Sequence, residues 1–307
     1  MAINTIQFAT LLQQKLDEQV TVQSTSGWME SNAGLVQYDG GKEIKVPSLS
    51  TTGLTDYDRD AGFTAQGKVT LSHETLTMTQ DRSATFQLDA MDVNESGFLA
   101  NATAVAGEFQ RAHVIPEIDA YRYSKIYALA SANSRVADAY TPAKATLLDA
   151  LRADIAAIQD VVGEGTQLVI TMPIPVANIL DTVSDISKSI SVVDFKQGNV
   201  NLKVKALDEI PIRRVPSVRM KTAYIFKDGI TGGQEDGGFT PASGAKQINW
   251  IISAMTVPIA VSKTDKLRIF APDVNQQADA WKIDYRKYHE LWITKNKMNA
   301  VMVNIST

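Results

Sequence analysis

The sequence predicts an α+β fold, and three patterns carry that expectation. Phe98, Ala102, Val105, Phe109 and Ala112 recur at spacings of 4, 3, 4 and 3, a single apolar stripe at helical period. From residue 199 onward the period changes to two, in Val200, Leu202 and Val204, in Ile210 and Ile212, and in Ile248, Trp250, Ile252 and Ala254. Between residues 42 and 76, two alternating runs, "KEIKVP" and "GKVTLSHETL", flank a long polar stretch. That pair reads as an extended hairpin with too few apolar residues for a core of its own.

The elements follow in chain order. Residues 3–16 place Ile3, Ile6, Leu11, Leu12 and Leu16 at helical spacing. Such a short helix is marginal in water and must dock on something. Residues 24–41 are rich in Ser, Gly and Asn around Trp28 and Tyr38. The striped helix spans 94–113, capped by Asn94 or Ser96, and "VIP" (114–116) is expected to stop it. Pro116 opens a second helix, "PEIDAYRYSKIYALASA". A third is expected from Thr141 to Val162, with Gly163 closing it. "TQLVITMP" (166–173) reads as a buried strand and "PVANILDTV" (175–183) as a short helix. Residues 228–244, "DGITGGQEDGGFTPASG", read as a flexible loop. "AWKIDYRKYHELWIT" (280–294), "NKMN" and "AVMVNI" (300–305) read as a terminal hairpin.

Composition narrows the function classes. The 307 residues suit about two domains. A hydrophobic fraction of 44% with 21% charged residues is that of a globular chain. The net charge of −4 argues against a cationic nucleic-acid binder. The absence of cysteine excludes disulfides and thiolate chemistry. The N-terminus lacks the basic start and unbroken apolar core of a signal peptide. The two most apolar runs, 168–180 and 250–261, are short and interrupted by proline. A soluble protein made in a cytoplasm is expected.

No catalytic, cofactor or metal constellation is expected. "DYDRDAGF" (56–63) resembles a calcium loop in its alternating Asp56, Asp58 and Asp60. Its sixth position is Ala61 where glycine is needed, and its twelfth is Gly67 where a bidentate Glu is needed. "TGGQEDGG" lacks the Gly-Lys-Ser/Thr of a phosphate loop and carries Glu235 and Asp236. His73, His113 and His289 have no partner at metal spacing, and no "GxSxG" elbow supports a triad. What remains is a docked N-terminal arm, a projecting hairpin and a one-stripe helix. Segments that cannot bury their surface within one chain bury it against neighbours, which points to an assembly subunit.

At "GWMESNAG" (27–34), "YDRDAGF" (57–63), "MTQDRSATFQLDAMDVNES" (78–96), "GEFQR" (107–111), "VIPEIDAYR" (114–122), "IPIRRVPSVRM" (210–220) and "LRIFAPDVNQQADAWKIDYRKYHELWI" (267–293), the chain resembles the major capsid proteins of tailed bacteriophages, with the Hong Kong 97-type fold, as found in phages and prophages of Gram-positive bacteria. The resemblance runs over nearly the whole chain. It implies an N-arm at 1–26 and an extended loop at 42–90. It also implies a peripheral domain from 27–41, 91–116 and 287–307, with its spine helix at 94–113, and an axial domain at 117–286. The implied function is an icosahedral shell of pentamers and hexamers enclosing double-stranded DNA without sequence-specific binding, located in the virion. Implied partners are copies of the chain, a portal, a separate scaffolding protein given the short arm, and a decoration protein. An encapsulin-type compartment shell is the alternative on the same fold. A receptor-binding virion protein would need an aromatic-lined site, and aromatics are only 7%; a monomeric enzyme is the remaining class.

The expected contacts between subunits are specific. Leu11, Leu12 and Leu16 should bury against a neighbour. The tip "TDYDRD" (55–60) has three acids and one base, whereas "KVKALDEIPIRRVPSVRMK" (203–221) has six bases by the arginines and flanking lysines and is strongly positive. Asp56, Asp58, Arg59 and Asp60 are therefore expected to meet a basic surface of an adjacent copy, with Arg213, Arg214 or Arg219 as candidates.

Overall fold

A seven-stranded sheet, a three-stranded sheet, two two-stranded hairpins and three α-helices organise the described residues of a computed structural model, which are 23–35, 42–60, 62, 67–91, 106–183, 190–197 and 200–307. Strands β1 (Glu43–Thr51) and β2 (Val69–Thr77) pair antiparallel, from Glu43 opposite Thr77 to Thr51 opposite Val69. Nine residues per strand carry this hairpin roughly 30 Å from its base. The chain then runs directly into β3 (Gln80–Asp89).

β3 is not part of the projecting loop, although the expected loop 42–90 included it. It forms a three-stranded sheet with β12 (Ile259–Phe270) and β13 (Ala280–Trp292), in the order β12-β13-β3. β13 is the centre strand, with Gln80 to Asp89 antiparallel along one side and Ile259 to Phe270 along the other. The expected terminal hairpin therefore does not form. Both hydrogen-bonding edges of β13 are taken, and a 3-10 turn at Lys295–Ala300 leads the chain away to β14 (Val301–Ile305). β14 is almost wholly buried, as suits an interior strand with two covered faces and not an alternating hairpin arm.

β14 belongs to a seven-stranded mixed sheet. Its order is β4 (Val136–Ala137), β14, β11 (Ile248–Ala254), β5 (Leu168–Pro173), β8 (Ile210–Val215), β7 (Val200–Leu207) and β6 (Ile190–Gln197). β5 and β11 are buried at every residue. Helices α2 (Leu147–Val162) and α3 (Ile174–Asp181) complete this core with Leu147, Leu151, Ile155 and Ile158, and with Val176, Ala177 and Leu180. Trp250 donates its indole N–H to Asp154 of α2 at 2.8 Å, satisfying both buried polar groups. α2 begins at Leu147, not at Thr141, because the preceding chain is pinned to the sheet edge. Tyr140 N–H donates to Ile305 and Asn249 donates to the Tyr140 carbonyl. Gly163 ends α2 with φ 87° and ψ 151°, a backbone conformation open to glycine but strained for a residue with a side chain.

The expected stop at "VIP" is absent. Residues 106–109 are helical, a π turn follows at Gln110–Val114, and α1 (Ile115–Ala132) continues without a break. Ile115 N–H reaches back five residues to the Gln110 carbonyl. The wider π turn accommodates a proline that has no N–H and whose ring would crowd an ordinary turn. Of the apolar stripe, Phe98, Ala102 and Val105 lie outside the described residues, as does most of the expected spine 94–113. Phe109 lies within them and packs on the three-stranded sheet, as does Ala106 beside the stripe, whereas Ala112 is exposed, because the π turn at Gln110–Val114 shifts it off that face. The Phe109 ring stands edge-on to Phe86 at 4.8 Å and to Tyr285 at 5.9 Å, and Ala106 meets Leu267 and Ile269.

Phe109→Ala should lower unfolding free energy by about 2–4 kcal/mol, under the figure for a fully buried ring because Phe109 is half-buried. Denaturant unfolding checks this; a loss below about 0.5 kcal/mol would place the helix off the sheet.

Candidate functional site

The hairpin β1–β2 changes its apolar side along its length. Alternation puts Ile44, Val46, Leu76 and Glu74 on one face and Lys45, Leu49, Leu71 and Val69 on the other. At the base, the first face is buried. Ile44 is 2% exposed and clusters with Leu76, Met78, Ile259, Val261 and Trp292. In the distal half that side is polar, with Ser50 and Thr70. The opposite side there carries Leu49, Leu71 and Val69, exposed at 63%, 62% and 66%. Own-chain packing thus uses one face of the hairpin and leaves apolar surface on the other. Burying those three side chains elsewhere would contribute roughly 1.5–3 kcal/mol each.

At the tip, Asp58 and Gly62 exchange backbone hydrogen bonds of 3.3 and 2.8 Å, with Gly62 at a φ of 77°. The Asp58 carboxylate accepts from Asp60 N–H at 2.8 Å, an inward turn that closes the loop. Asp56, Arg59 and Asp60 are exposed. Among the described residues no group of three or more His, Asp or Glu side chains converges in a metal-sized cluster.

The three arginines expected opposite this tip are engaged within their own chain. Arg213 is 8% exposed, donates to Gln197 Oε1 at 2.8 Å and stacks 5.1 Å over the Phe195 ring. Arg219 pairs with Asp119 at 3.1 Å. Arg214 donates to both Asp181 oxygens at 2.9 and 2.8 Å, and Lys205 reaches the same carboxylate at 3.0 Å. Two cations around one anion leave that last cluster partly exposed and net positive. Leu11, Leu12 and Leu16 lie outside the described residues.

Behind the hairpin, α1 gathers buried charge. Asp119, fully buried, accepts from the hydroxyls of Ser24, Thr25 and Ser26 at 2.9, 2.9 and 2.6 Å. It also accepts the N–H groups of Thr25 and Ser26 at 3.1 and 3.0 Å. Arg122, 1% exposed, donates to the Ser26 carbonyl at 3.3 Å and forms an ion pair with Glu30. One turn of helix therefore fixes the segment through which the N-terminus enters. That segment is also wedged by Trp28, buried edge-on to Phe195, and by Asn32, which donates to the carbonyls of Met255 and Pro258 at 2.8 Å each.

Glu290 of β13 serves the hairpin exit in the same way. It accepts from Thr79 N–H at 2.9 Å, from Thr79 Oγ1 at 2.6 Å and from the Tyr121 hydroxyl. Lys125 lies 3.7 Å away. Burial and the Glu290 carboxylate push the Tyr121 hydroxyl well above the ordinary tyrosine range, so it stays a donor. Beside it, His289 is buried with Nδ1 unpartnered and its ring 5.5 Å from that of Tyr121. Burial, then Arg122, Lys287 and Arg82, hold His289 neutral far below its usual range.

No family model matches the chain, and no curated protein sequence matches it. Solved structures do. One described as the asymmetric unit of the bacteriophage PhiM1 mature capsid matches at a TM-score of 0.59 and 13% identity, over 88% of this chain and 83% of that one. A structure from Gordonia phage Cozz matches at 0.56 and 12%, over 86% and 81%. The capsid structure of Staphylococcus phage Andhra matches at 0.51 and 12%, over 89% and 82%. The chain has the Hong Kong 97-type capsid fold. At such low identity it is the arrangement of elements that is shared, not the side chains. In this version of the Hong Kong 97-type fold, the projecting hairpin and the N-terminal entry converge on α1.

Sequence reasoning missed that convergence. Asp119, Arg122 and Glu290 stand in "VIPEIDAYR" and "KYHELW" as ordinary charges on a helix and a strand. The available signal was the helix itself, whose charges Glu117, Asp119, Arg122 and Lys125 spread over roughly 200° of its circumference, a wide arc that reaches the flanks of the apolar face. Asp119→Asn should cost about 2–4 kcal/mol, since an amide cannot accept on both sides and leaves buried donors orphaned. Equilibrium unfolding measures it, and a cost under about 1 kcal/mol would deny the carboxylate its anchoring role. His289 sets a pH dependence of known sign. Its folded pKa lies below its unfolded value near 6.5, so the unfolded chain binds the extra proton as pH falls. Stability should drop below about pH 6.5 by up to about 1.4 kcal/mol per pH unit. His289→Gln should flatten the melting-temperature profile between about pH 5 and 6.5; an unchanged slope would show that other groups set it.

Proposed function

We propose that this chain is a major capsid protein that self-assembles into an icosahedral shell around phage double-stranded DNA. The observation that carries the reading is the hairpin. It projects from a chain with the capsid fold, buries one side on its own body and leaves Leu49, Leu71 and Val69 uncovered on the other. A second copy supplies the cover. The net charge of −4 supports a container, because a strongly basic lining would hold DNA through counterion release. Solved structures of the same fold are capsids, which supports a structural and non-catalytic role within the virion. Among the described residues, no helix is long and apolar enough to cross a membrane.

We assign the domains by sheet. The peripheral domain comprises helix 106–132 and the β12-β13-β3 sheet, and the axial domain comprises the seven-stranded sheet with α2 and α3. The extended loop is then 42–78. Relative to the expected limits, β3 moves from the loop, and residues 117–132, β12 and residues 280–286 of β13 move from the axial domain, into the peripheral domain, whereas β14 moves from the peripheral to the axial domain. Portal, scaffolding and decoration proteins are the further partners this reading entails, with synthesis in the bacterial host cytoplasm.

Within the shell, the acidic tip with Asp56, Asp58, Arg59 and Asp60 meets a basic surface on an adjacent copy. Arg214 with Lys205 is the best-placed candidate, since Arg213 and Arg219 are more deeply committed at home. Exposed pairs of this kind contribute only about 0–1 kcal/mol each but set register, and a shell repeats them in every subunit.

Negative-stain microscopy of the expressed chain should show closed particles of uniform size; a monodisperse monomer would overturn the assembly reading. Asp56→Lys with Asp60→Lys should leave the subunit's melting temperature within about 2 °C while particle yield collapses. Deleting residues 2–16 should likewise leave a folded subunit that closes no shells, as expected if Leu11, Leu12 and Leu16 dock on a neighbour. Normal particles from either variant would remove that segment from the interface.

A further inference from the structure

A second projection leaves the body beside the hairpin exit. Strands β9 (Tyr224–Phe226) and β10 (Phe239–Pro241) pair antiparallel and carry the loop 227–238 between them. The loop is ordered by its own contacts. Asp228 accepts from Ile230 N–H at 2.9 Å, Thr231 N–H at 2.8 Å and Thr231 Oγ1 at 2.6 Å, and Asp228 N–H donates to Gln234 at 3.2 Å. An internally braced loop on a short two-stranded neck goes wherever the neck points. The angle of the neck is therefore the quantity that the protein must fix.

Arg82 is placed to fix it. Its Nη1 donates to the Lys227 carbonyl at 2.6 Å and its Nη2 to the Gly238 carbonyl at 3.2 Å. Those residues face each other across the neck, where Lys227 N–H also donates to Gly238 at 2.9 Å. The remaining side of the guanidinium is held by Glu117 of α1, at 2.6 Å from Nε. The planar fork thus bridges both strands of the neck while an anion on the helix holds it from behind. One helical turn on, Tyr121 packs edge-on to Phe226 at 5.6 Å and contacts Thr79 at 3.3 Å. Arg82 lies on β3, three residues beyond Thr79, so the hairpin and the arm share one strand and one helix face.

We propose that Arg82 is a positioning residue for assembly, clamping the arm 224–241 to β3 and α1 so that its loop is presented at one angle relative to the hairpin. This rests on the assembly reading above. In a shell, two projections per subunit must meet their neighbours together, and a loose neck admits several inter-subunit angles.

Hydrogen exchange on the full-length soluble subunit, before assembly, tests the clamp. Arg82→Ala should speed exchange over 224–241 about tenfold, with β12 and β13 within about twofold of wild type. Arg82→Lys and Glu117→Gln should fall between, because a lysine cannot bridge two carbonyls in a fixed fork and a glutamine removes the anion behind it. Arg82→Lys decides the matter if Arg82→Ala does not fold. Wild-type protection over the arm in a folded variant, or loosening spread equally over β12 and β13, would overturn the proposal. Particles from the lysine variant should show a broadened size distribution; a loosened arm with unchanged particles would overturn the assembly role. Should the wild type form no particles, the assembly reading fails, and the exchange data still decide whether Arg82 holds the arm.

Discussion

The fully buried Asp119 carboxylate is the contact on which the peripheral part of the molecule depends. Its two oxygens receive three hydroxyls, two backbone N–H groups and the Arg219 guanidinium. A buried carboxylate is costly unless every lone pair is used. Here the cost is offset because one anion organises Ser24, Thr25 and Ser26, a short polar run with no tendency to form a strand or helix. Once that run is fixed, Trp28 and Met29 are delivered to the core and Glu30 to Arg122.

The same logic repeats along α1 and its neighbours. Arg82 faces Glu117, Arg122 faces Glu30, Lys125 faces Glu290, Arg219 faces Asp119, and Lys287 faces Asp265. Each base has its acid, so the group carries no net charge into the interior. Apolar packing would hold these elements as firmly, but it is non-directional. Forked and multiply accepted hydrogen bonds fix orientation as well as proximity. If the chain assembles as proposed, its projections need their angles held, because a small angular error at the base of a hairpin becomes a large displacement about 30 Å away.

Legibility in the sequence followed the range of the physics. The hairpin 43–77, the buried strand at 168–173, α2's apolar face and Gly163 all express local period or local backbone preference, and each was readable. Pro116 misled because a proline rule assumes ordinary helical spacing, and a π turn five residues long removes the conflict. The partners of β13 and β14 were not readable, since period two says which side of a strand is buried and nothing about which strand lies beside it. The acidic tip and basic segment were visible as opposite charges, but Arg213 and Arg219 turned out to serve Gln197 and Asp119 in their own chain. Charge counted along a sequence does not reveal which cations are already paired.

That last point bears on how the exposed surface should be read. With Arg213 and Arg219 withdrawn, the positive potential of residues 203–221 is narrower than its count of bases implies. It centres on Lys205 and Arg214 about Asp181, where the carboxylate sits below its ordinary range; burial would raise it, but the two cations outweigh that effect. An incoming acidic tip would compete with Asp181 for those cations instead of meeting free charge. Such an exchange gains little net energy in water, because one ion pair replaces another. It is sensitive to geometry, since the cations can be shared only from the side that Asp181 leaves open. Under the proposed assembly, weak, directional and repeated contacts of that kind would suit a particle that must close without trapping misplaced subunits, and would leave the apolar distal face of the hairpin as the larger source of binding energy.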